Sequence, residues 1–363
     1  MIVNQINISR FKSIRELKLN LSNINVLIGP NGAGKSNFIQ FFNLLNNIVL
    51  QNLQNYVTIN GGADSFLYFG RKFSESFSGT VSFGRNEYYF ELSPTSDNNF
   101  YFNKEITRYY NPRYDKTSSK NIAVANRETK LIEEYKKEKQ TGVVHYILSA
   151  LSRWRVYHFH DTSSSAKVKQ EGDVNDNRSL RRDASNLAAF LYLLQKKHNE
   201  HLKRIENTIK LIAPFFEKFQ LEPLELNKEK IRLEWKHVGS DEYFNANHLS
   251  DGTLRMICLI TLLLQPNLPD TIIIDEPELG LHPAAIELLM SLIKSVAANN
   301  KQIICSTQSV TFLNHFEPED IIVVDRSNGE SIFTRLEKEK LTEWLNEYAI
   351  GELWEKNVLG GRP

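Results

Sequence analysis

Gly29-Pro30-Asn31-Gly32-Ala33-Gly34-Lys35-Ser36 fits the pattern G-x-x-x-x-G-K-[ST]. Small residues at this spacing let backbone N–H groups converge on phosphate oxygens, and a following helix N-terminus adds its positive dipole end. In such a loop Lys35 reaches the β- and γ-phosphates and Ser36 ligates Mg²⁺; Asn31, Gly32, Ala33, Gly34 and Asn37 complete the cradle. Farther along, "TIIIDEP" carries four residues into Asp275 and Glu276. Two acids buried at a strand end without partners are costly. A magnesium ion on Asp275 and a water on Glu276, acting as general base, relieve that cost. Between the two lies "LSDGTLR" (249–255), where Ser250, Asp251 and Gly252 offer a hydroxyl and backbone N–H groups at a helix start. An ordinary Ser/Asp helix cap explains that stretch equally well when it stands alone.

The elements that must position these residues are legible in part. "INVLIGP" (24–30) is a short apolar run, as a strand covered on both faces would be, and it leads into the glycine loop. Apolar residues at Phe38, Ile39, Phe41, Phe42, Leu44 and Leu45 predict a helix from about Asn37 to Leu53. "INISRFKSIRELKLNL" (6–21) alternates as a half-buried hairpin does, and "FSGTVSFGRNEYYFEL" reads as antiparallel strands. Residues 111–126 read as a loop, 128–140 as a charged helix and 154–161 as strand-like. The polar stretch 162–185 reads as mobile; 186–216 has helical periodicity broken near Pro214, followed by strands within 224–238. From 249 the pattern alternates helix, strand, helix, strand, ending in "IIVVDR" (321–326) and a helix over 338–348.

Composition narrows the class. The chain has 363 residues, 41% hydrophobic and 24% charged, enough for a buried core and close to globular averages. A formal net charge of +1 neither demands nor excludes nucleic acid. Cys258 and Cys305 lie in apolar runs with no metal or redox spacing, as in a reducing compartment. No apolar run approaches the roughly 18 residues needed to cross a bilayer, and residues 1–4 lead straight into strand pattern, so a cytoplasmic protein without a leader is expected.

The order of motifs (P-loop, inserted helical lobe, Leu-Ser-x-Gly, Asp-Glu, polar strand end) resembles the ATP-binding-cassette ATPase superfamily. The resemblance implies a head-to-tail dimer, in which the signature residues Ser250, Asp251 and Gly252 of one subunit close over the γ-phosphate held by the P-loop of the other. "DEPELGLHP" lacks the Pro-Thr-Ser continuation usual in transporter cassettes and resembles the RecF, structural-maintenance-of-chromosomes (SMC) and overcoming-lysogenisation-defect (OLD) side. There Arg10 and Lys12, on the first hairpin, are candidates to touch the nucleotide, though exposed strand charges explain them equally well. The switch strand, usually ended by a histidine, here ends in "CSTQS", which places Gln308 at the γ-phosphate. An amide can donate to phosphate and orient water but cannot titrate. No clean glutamine loop is present; His160 or Asp161 takes that position, or both only cap the strand end. The roughly 55 residues after Gln308 are too few for the Toprim nuclease domain that some OLD proteins carry.

The expected fold class is therefore α/β: a P-loop NTPase of the ATP-binding-cassette type, with a mixed central sheet, an antiparallel β subdomain and an inserted helical lobe. Residues 1–161 and 249–363 form the ATPase lobe and 162–248 the insertion. The expected activity is Mg²⁺-dependent conversion of ATP to ADP and phosphate, driving closure of a homodimer or higher homo-oligomer in DNA maintenance or antiphage defence. A separate effector protein and, as a candidate, DNA are the implied partners, with no membrane. A transporter's ATP-binding subunit and an assembly scaffold with little turnover are the alternatives. Basic residues at Arg178, Arg181, Arg182, Lys196 and Lys197 are interleaved with acids and read as a solvated face before they read as a phosphate-backbone contact.

Overall fold

A computed structural model describes residues 1–138 and 142–361. The chain divides into two compact units: Met1–Val156 with Asp270–Ile273 and Asn300–Pro363, and Tyr157–Pro269 with Ile274–Asn299.

The first unit contains an antiparallel six-stranded sheet in the order Ile14–Asn20, Gln5–Phe11, Phe77–Phe83, Asn86–Pro94, Phe100–Asn111, Lys116–Ala123. Period-2 patterning sets its register: Ile8 lies opposite both Leu17 and Gly79. A second, mixed sheet runs Glu330–Arg335, Ile321–Ser327, Ile24–Ile28, Gln302–Ser306, Thr271–Asp275, Trp154–Tyr157. Its strand Ile24–Ile28 is flanked by parallel neighbours on both sides, which explains an apolar run without alternation. The helix Lys35–Val49 packs on both sheets through its phenylalanines. Phe41 meets Phe11 (5.6 Å) and Phe90 (6.0 Å), Phe38 meets Phe333 (5.6 Å), and Phe42 meets Trp154 (5.4 Å). Each of the three fully buried helix rings stabilises the unit by about 2–3 kcal/mol.

Residues 111–126 are not the loop the sequence suggested: Lys116–Ala123 is an edge strand. Its first six residues are exposed, so there is no apolar face to betray the period. The helix after the glycine loop starts at Lys35 and ends at Val49 rather than running from Asn37 to Leu53. Of the charged helix expected over 128–140, Leu131–Lys137 is helical, and residues 139 and 140 lie outside the described residues.

The second unit holds the helices Leu187–Lys197, Asn199–Lys210, Asp251–Leu264 and Pro283–Ala298 and a small sheet of Phe216–Gln220, Glu234–His237 and Tyr243–Asn245. The helical periodicity expected to break near Pro214 breaks first at His198, which ends one helix and starts the next. Asp251–Leu264 is buried all round from Leu254 onward. Burial pushes the Cys258 thiol on it up to about 12, so it stays protonated as a small hydrophobe. The polar stretch 162–185 has only short elements but is pinned at its end. The Asn186 side chain donates to the carbonyls of Asp176 and Ser179 and accepts from the Arg181 N–H. Among the described residues no helix is long and apolar enough to cross a membrane.

Candidate functional site

In the first unit the strand Ile24–Ile28 hands directly to the glycine loop. A Cβ on Gly29 (φ 148°) would lie 2.0 Å from the Val324 carbonyl oxygen, so the loop can leave the sheet only with glycine there. Gly34 stands at the N-cap of Lys35–Val49, and no side chain caps that helix. A helix N-terminus of this kind presents N–H groups and a positive dipole end, as an anion site requires. The Lys35 ammonium is buried and donates to the carbonyls of Gly29 and Pro30, the latter at 3.1 Å. Ser36 is exposed.

Two segments, one at Ser13 and one on the hairpin that carries Arg326 and Ser331, brace the loop. Ser331 Oγ donates to the Ala33 carbonyl and lies 2.6 Å from Ser13 Oγ, which accepts from Asn37 Nδ2 at 2.7 Å. Arg326 Nη1 donates to the Gly32 carbonyl at 3.2 Å. Sequence reasoning misses Arg326 and Ser331, because no local motif marks a side chain that acts about 300 residues away in the chain, and Ser13, whose bond to Asn37 spans 24 residues. A cavity of about 410 Å³ opens beside the loop, lined by Lys12 and Asn37 among others. Lys12 and Arg10 both have left-handed backbone (φ 52° and 60°). The Lys12 ammonium sits 4.8 Å over the Phe66 ring, and burial lowers its pKa. Arg10 is exposed and does not line the cavity. Gln308 is exposed two residues past Gln302–Ser306, where the Thr307 N–H bonds the Leu27 carbonyl.

In the second unit Ser250 caps Asp251–Leu264: its Oγ accepts from the Thr253 N–H at 3.2 Å and meets Thr253 Oγ1 at 2.8 Å. A serine hydroxyl that accepts one bond keeps a hydrogen to donate, so the cap does not preclude a phosphate contact. Asp251 pairs with Lys169 at 3.3 Å. A Cβ on Gly252 would lie 2.5 Å from the Gly280 carbonyl oxygen, so this glycine is required by close backbone approach. Asp275 and Glu276 are half-buried, and Glu276 has φ 44°, a strained backbone for a non-glycine residue. His160 Nε2 lies 2.8 Å from the Asp275 carbonyl oxygen, whereas Asp161 accepts from Ser163 in a local turn. Burial lowers the His158 pKa, against the opposing pull of Asp275.

Arg255, the last residue of "LSDGTLR" but given no role there by the sequence, is almost fully buried. Its guanidinium donates to the carbonyls of Phe159 (2.9 Å), His160 (3.1 Å) and Leu279. One side chain thus ties the signature helix to the strand end bearing His160 and to the turn after Glu276. Of the basic residues in this unit, Arg181 is committed to Asp176 at 2.5 Å and Lys196 lies over the Tyr192 ring.

The family model described as "AAA domain, putative AbiEii toxin, Type IV TA system" matches residues 24–314. The energy-coupling factor transporter ATP-binding protein EcfA2 of Staphylococcus epidermidis (strain ATCC 12228 / FDA PCI 1200) is 25% identical over 179 residues, covering 42% of this chain and 61% of EcfA2. EcfA2 of Staphylococcus aureus (strain MRSA252) is 30% identical over 102 residues, covering 26% and 34%. The chain thus spans about three-fifths, or less, of the curated relatives it matches. Among solved structures, the Smc head bound to the C-winged helix domain of ScpA superposes with a TM-score of 0.58 at 15% identity, covering 94% of this chain and 100% of that one. The Smc head domain with an extended coiled coil, bound to the C-terminal domain of ScpA derived from Pyrococcus furiosus, gives 0.57 at 15%, covering 95% and 98%. The fold is that of an SMC-head-like P-loop ATPase.

Proposed function

The chain belongs to the AAA-domain family whose model spans residues 24–314, within the ATP-binding-cassette and SMC-like ATPases, and from that premise we propose that it binds and hydrolyses Mg·ATP. The observation that carries this reading is the glycine N-cap of Lys35–Val49, set behind a glycine loop whose shape a side chain at Gly29 would destroy. In this reading Lys35 and the N–H groups from Asn31 to Asn37 hold the phosphates, Ser36 and Asp275 hold Mg²⁺, Glu276 takes a proton from the attacking water, and Gln308 orients that water. Bound Mg²⁺ supplies charge neutralisation between the phosphates. Ser250, Asp251 and Gly252 complete the site of a second copy, so hydrolysis opens a head-to-tail dimer. His160, on the Asp275 carbonyl, fills the place of a glutamine loop more readily than Asp161.

The setting we propose is a cytoplasmic defence or DNA-maintenance switch of the OLD-like kind acting with a separate effector; the AbiEii and toxin–antitoxin wording of the family supports the defence side. A transporter subunit is the second reading, favoured by the EcfA2 relatives, and "DEPELGLHP" weighs against it. Phosphate release by the purified chain, absent from Lys35→Ala, tests the enzyme; no release above that control favours a scaffold. Glu276→Gln with ATP should double the mass seen by light scattering. A monomeric Glu276→Gln, together with intact turnover in Ser250→Arg, would sink the composite site.

A further inference from the structure

Residues 350–361 return to the first glycine of the glycine loop. Gly360 and Gly361 both have left-handed backbone (φ 77° and 57°), and Gly361 is buried. A Cβ on Gly361 would lie 3.3 Å from the Gly29 Cα, 3.3 Å from the Val324 carbonyl oxygen and 2.8 Å from Val323 Cγ1. The same Val324 oxygen is the one that forbids a Cβ on Gly29. Two glycines thus meet beside one carbonyl. Trp354, fully buried on the short helix Ile350–Glu355, pins the arrangement: its indole N–H donates to the Gly361 carbonyl. Between them Asn357 (φ 58°) turns the chain, with the Asn357 N–H on the Trp354 carbonyl and the Val358 N–H on the Leu353 carbonyl.

The other end of the same segment sits behind Gln308. The Gly351 N–H donates to Asn314 Oδ1 at 2.7 Å, and a Cβ on Gly351 would lie 2.7 Å from the Val310 carbonyl oxygen. Val310 opens the helix Val310–Leu313, whose cap Ser309 directly follows Gln308.

We propose that residues 350–361 form a strap that positions the glycine loop, with Trp354 as its positioning residue, and that the strap joins the loop to the helix behind Gln308. The approach of Gly361 to Gly29 is backbone on backbone. No flexible side chain lies between them to absorb a shift, so a displacement of the strap is passed to the loop. Linkage runs both ways: a ligand that fixes the loop also fixes the strap, by the same factor. The effect on nucleotide rests on the reading above; the effect on the loop does not.

The test is hydrogen exchange on the full chain, read by peptide mass spectrometry, with calorimetry of Mg·ATP. Trp354→Phe keeps a buried ring and deletes the one N–H. Peptides covering 356–361 and 27–36 should both exchange about fivefold faster, with 77–94 unchanged. Gly361→Val unseats the strap outright, because a β-branched residue does not tolerate a left-handed backbone. It should bind Mg·ATP about tenfold more weakly, and saturating Mg·ATP should slow exchange of 356–361 in the unaltered chain by the same factor. Faster exchange at 356–361 with none at 27–36 in either variant means that the tail only packs, and overturns the strap; so does unchanged exchange at both segments. Bound Mg·ATP that leaves 356–361 exchanging at its old rate overturns the coupling. If Gly361→Val fails to fold, Trp354→Phe and the nucleotide effect on 356–361 decide. No Mg·ATP binding by the unaltered chain overturns the nucleotide reading alone, and the rate at 27–36 in Trp354→Phe then decides the strap.

Discussion

Arg255→Met should loosen two segments of the second unit at once. The guanidinium serves three carbonyls, the buried one of Phe159 and the part-buried ones of His160 and Leu279. Methionine fills much of the same volume but offers no donor. The orphaned Phe159 carbonyl costs about 2 kcal/mol and the two part-buried ones, which water can reach, about 0.5 kcal/mol each, so the three together cost about 3 kcal/mol. The residues so released are those around His160 and the turn after Glu276, and local opening there should become about 100-fold more frequent. Hydrogen exchange read by peptide mass spectrometry measures this directly. Peptides covering 157–162 and 277–283 should exchange about 100-fold faster, with little change in 77–94 of the antiparallel sheet. Arg255→Lys should recover less than half of the loss, because one ammonium cannot fork to three acceptors. An increase below about threefold in Arg255→Met, or full recovery in Arg255→Lys, would refute the argument that a planar fork is what holds these segments.

Gly252→Ala sets a helix-propensity gain of about 1 kcal/mol against a Cβ 2.5 Å from the Gly280 carbonyl oxygen. Overpacking against backbone wins by about 1 kcal/mol, so the thermal midpoint should fall by about 2–4 °C; a rise would mean that the 280 turn yields freely. Asp270 accepts from the Met1 ammonium, Arg153 and Lys301. Burial alone would raise its pKa, but the bonds from Lys301 and the terminal ammonium prevail and hold it at about 2. Its folded pKa lies below the unfolded value near 3.8, so its contribution is full above about pH 4 and is lost as pH falls toward 2. Screening around the half-exposed Arg153 and Met1 reduces that contribution to about 1 kcal/mol. Urea midpoints measured from about pH 5 to pH 2 should therefore decline less steeply for Asp270→Asn than for wild type, and identical slopes would contradict this.

The local parts of the site were legible because their chemistry repeats at short spacing. Gly29 to Ser36 announced a glycine loop between a strand and a helix, and Ser250 announced a helix start whose cap the structure displays. The dense apolar run after Leu254 was legible as a helix for the same reason. What was hidden depends on distance along the chain or on the absence of a buried face. Ser331 acts on Ala33 from a strand, Glu330–Arg335, that no motif marks. Arg255 looks like any helix charge until its burial is known. The strand Lys116–Ala123 has an almost wholly exposed sequence, so hydrophobic patterning had nothing to read there.

The brace on the glycine loop also fixes when the chain can become competent. Ribosomes deliver residues 29–36 early, yet the hydroxyl of Ser331 and the guanidinium of Arg326 that steady them are synthesised nearly 300 residues later. Such long-separation contacts form late and slowly. A nascent chain stopped before the hairpin Ile321–Arg335 holds the phosphate motif without its supports. The hairpin thus works as a completion mark: a product truncated before it carries the glycine motif without these bonds, and on the proposed ATP-binding reading should not compete for nucleotide with copies that carry the hairpin.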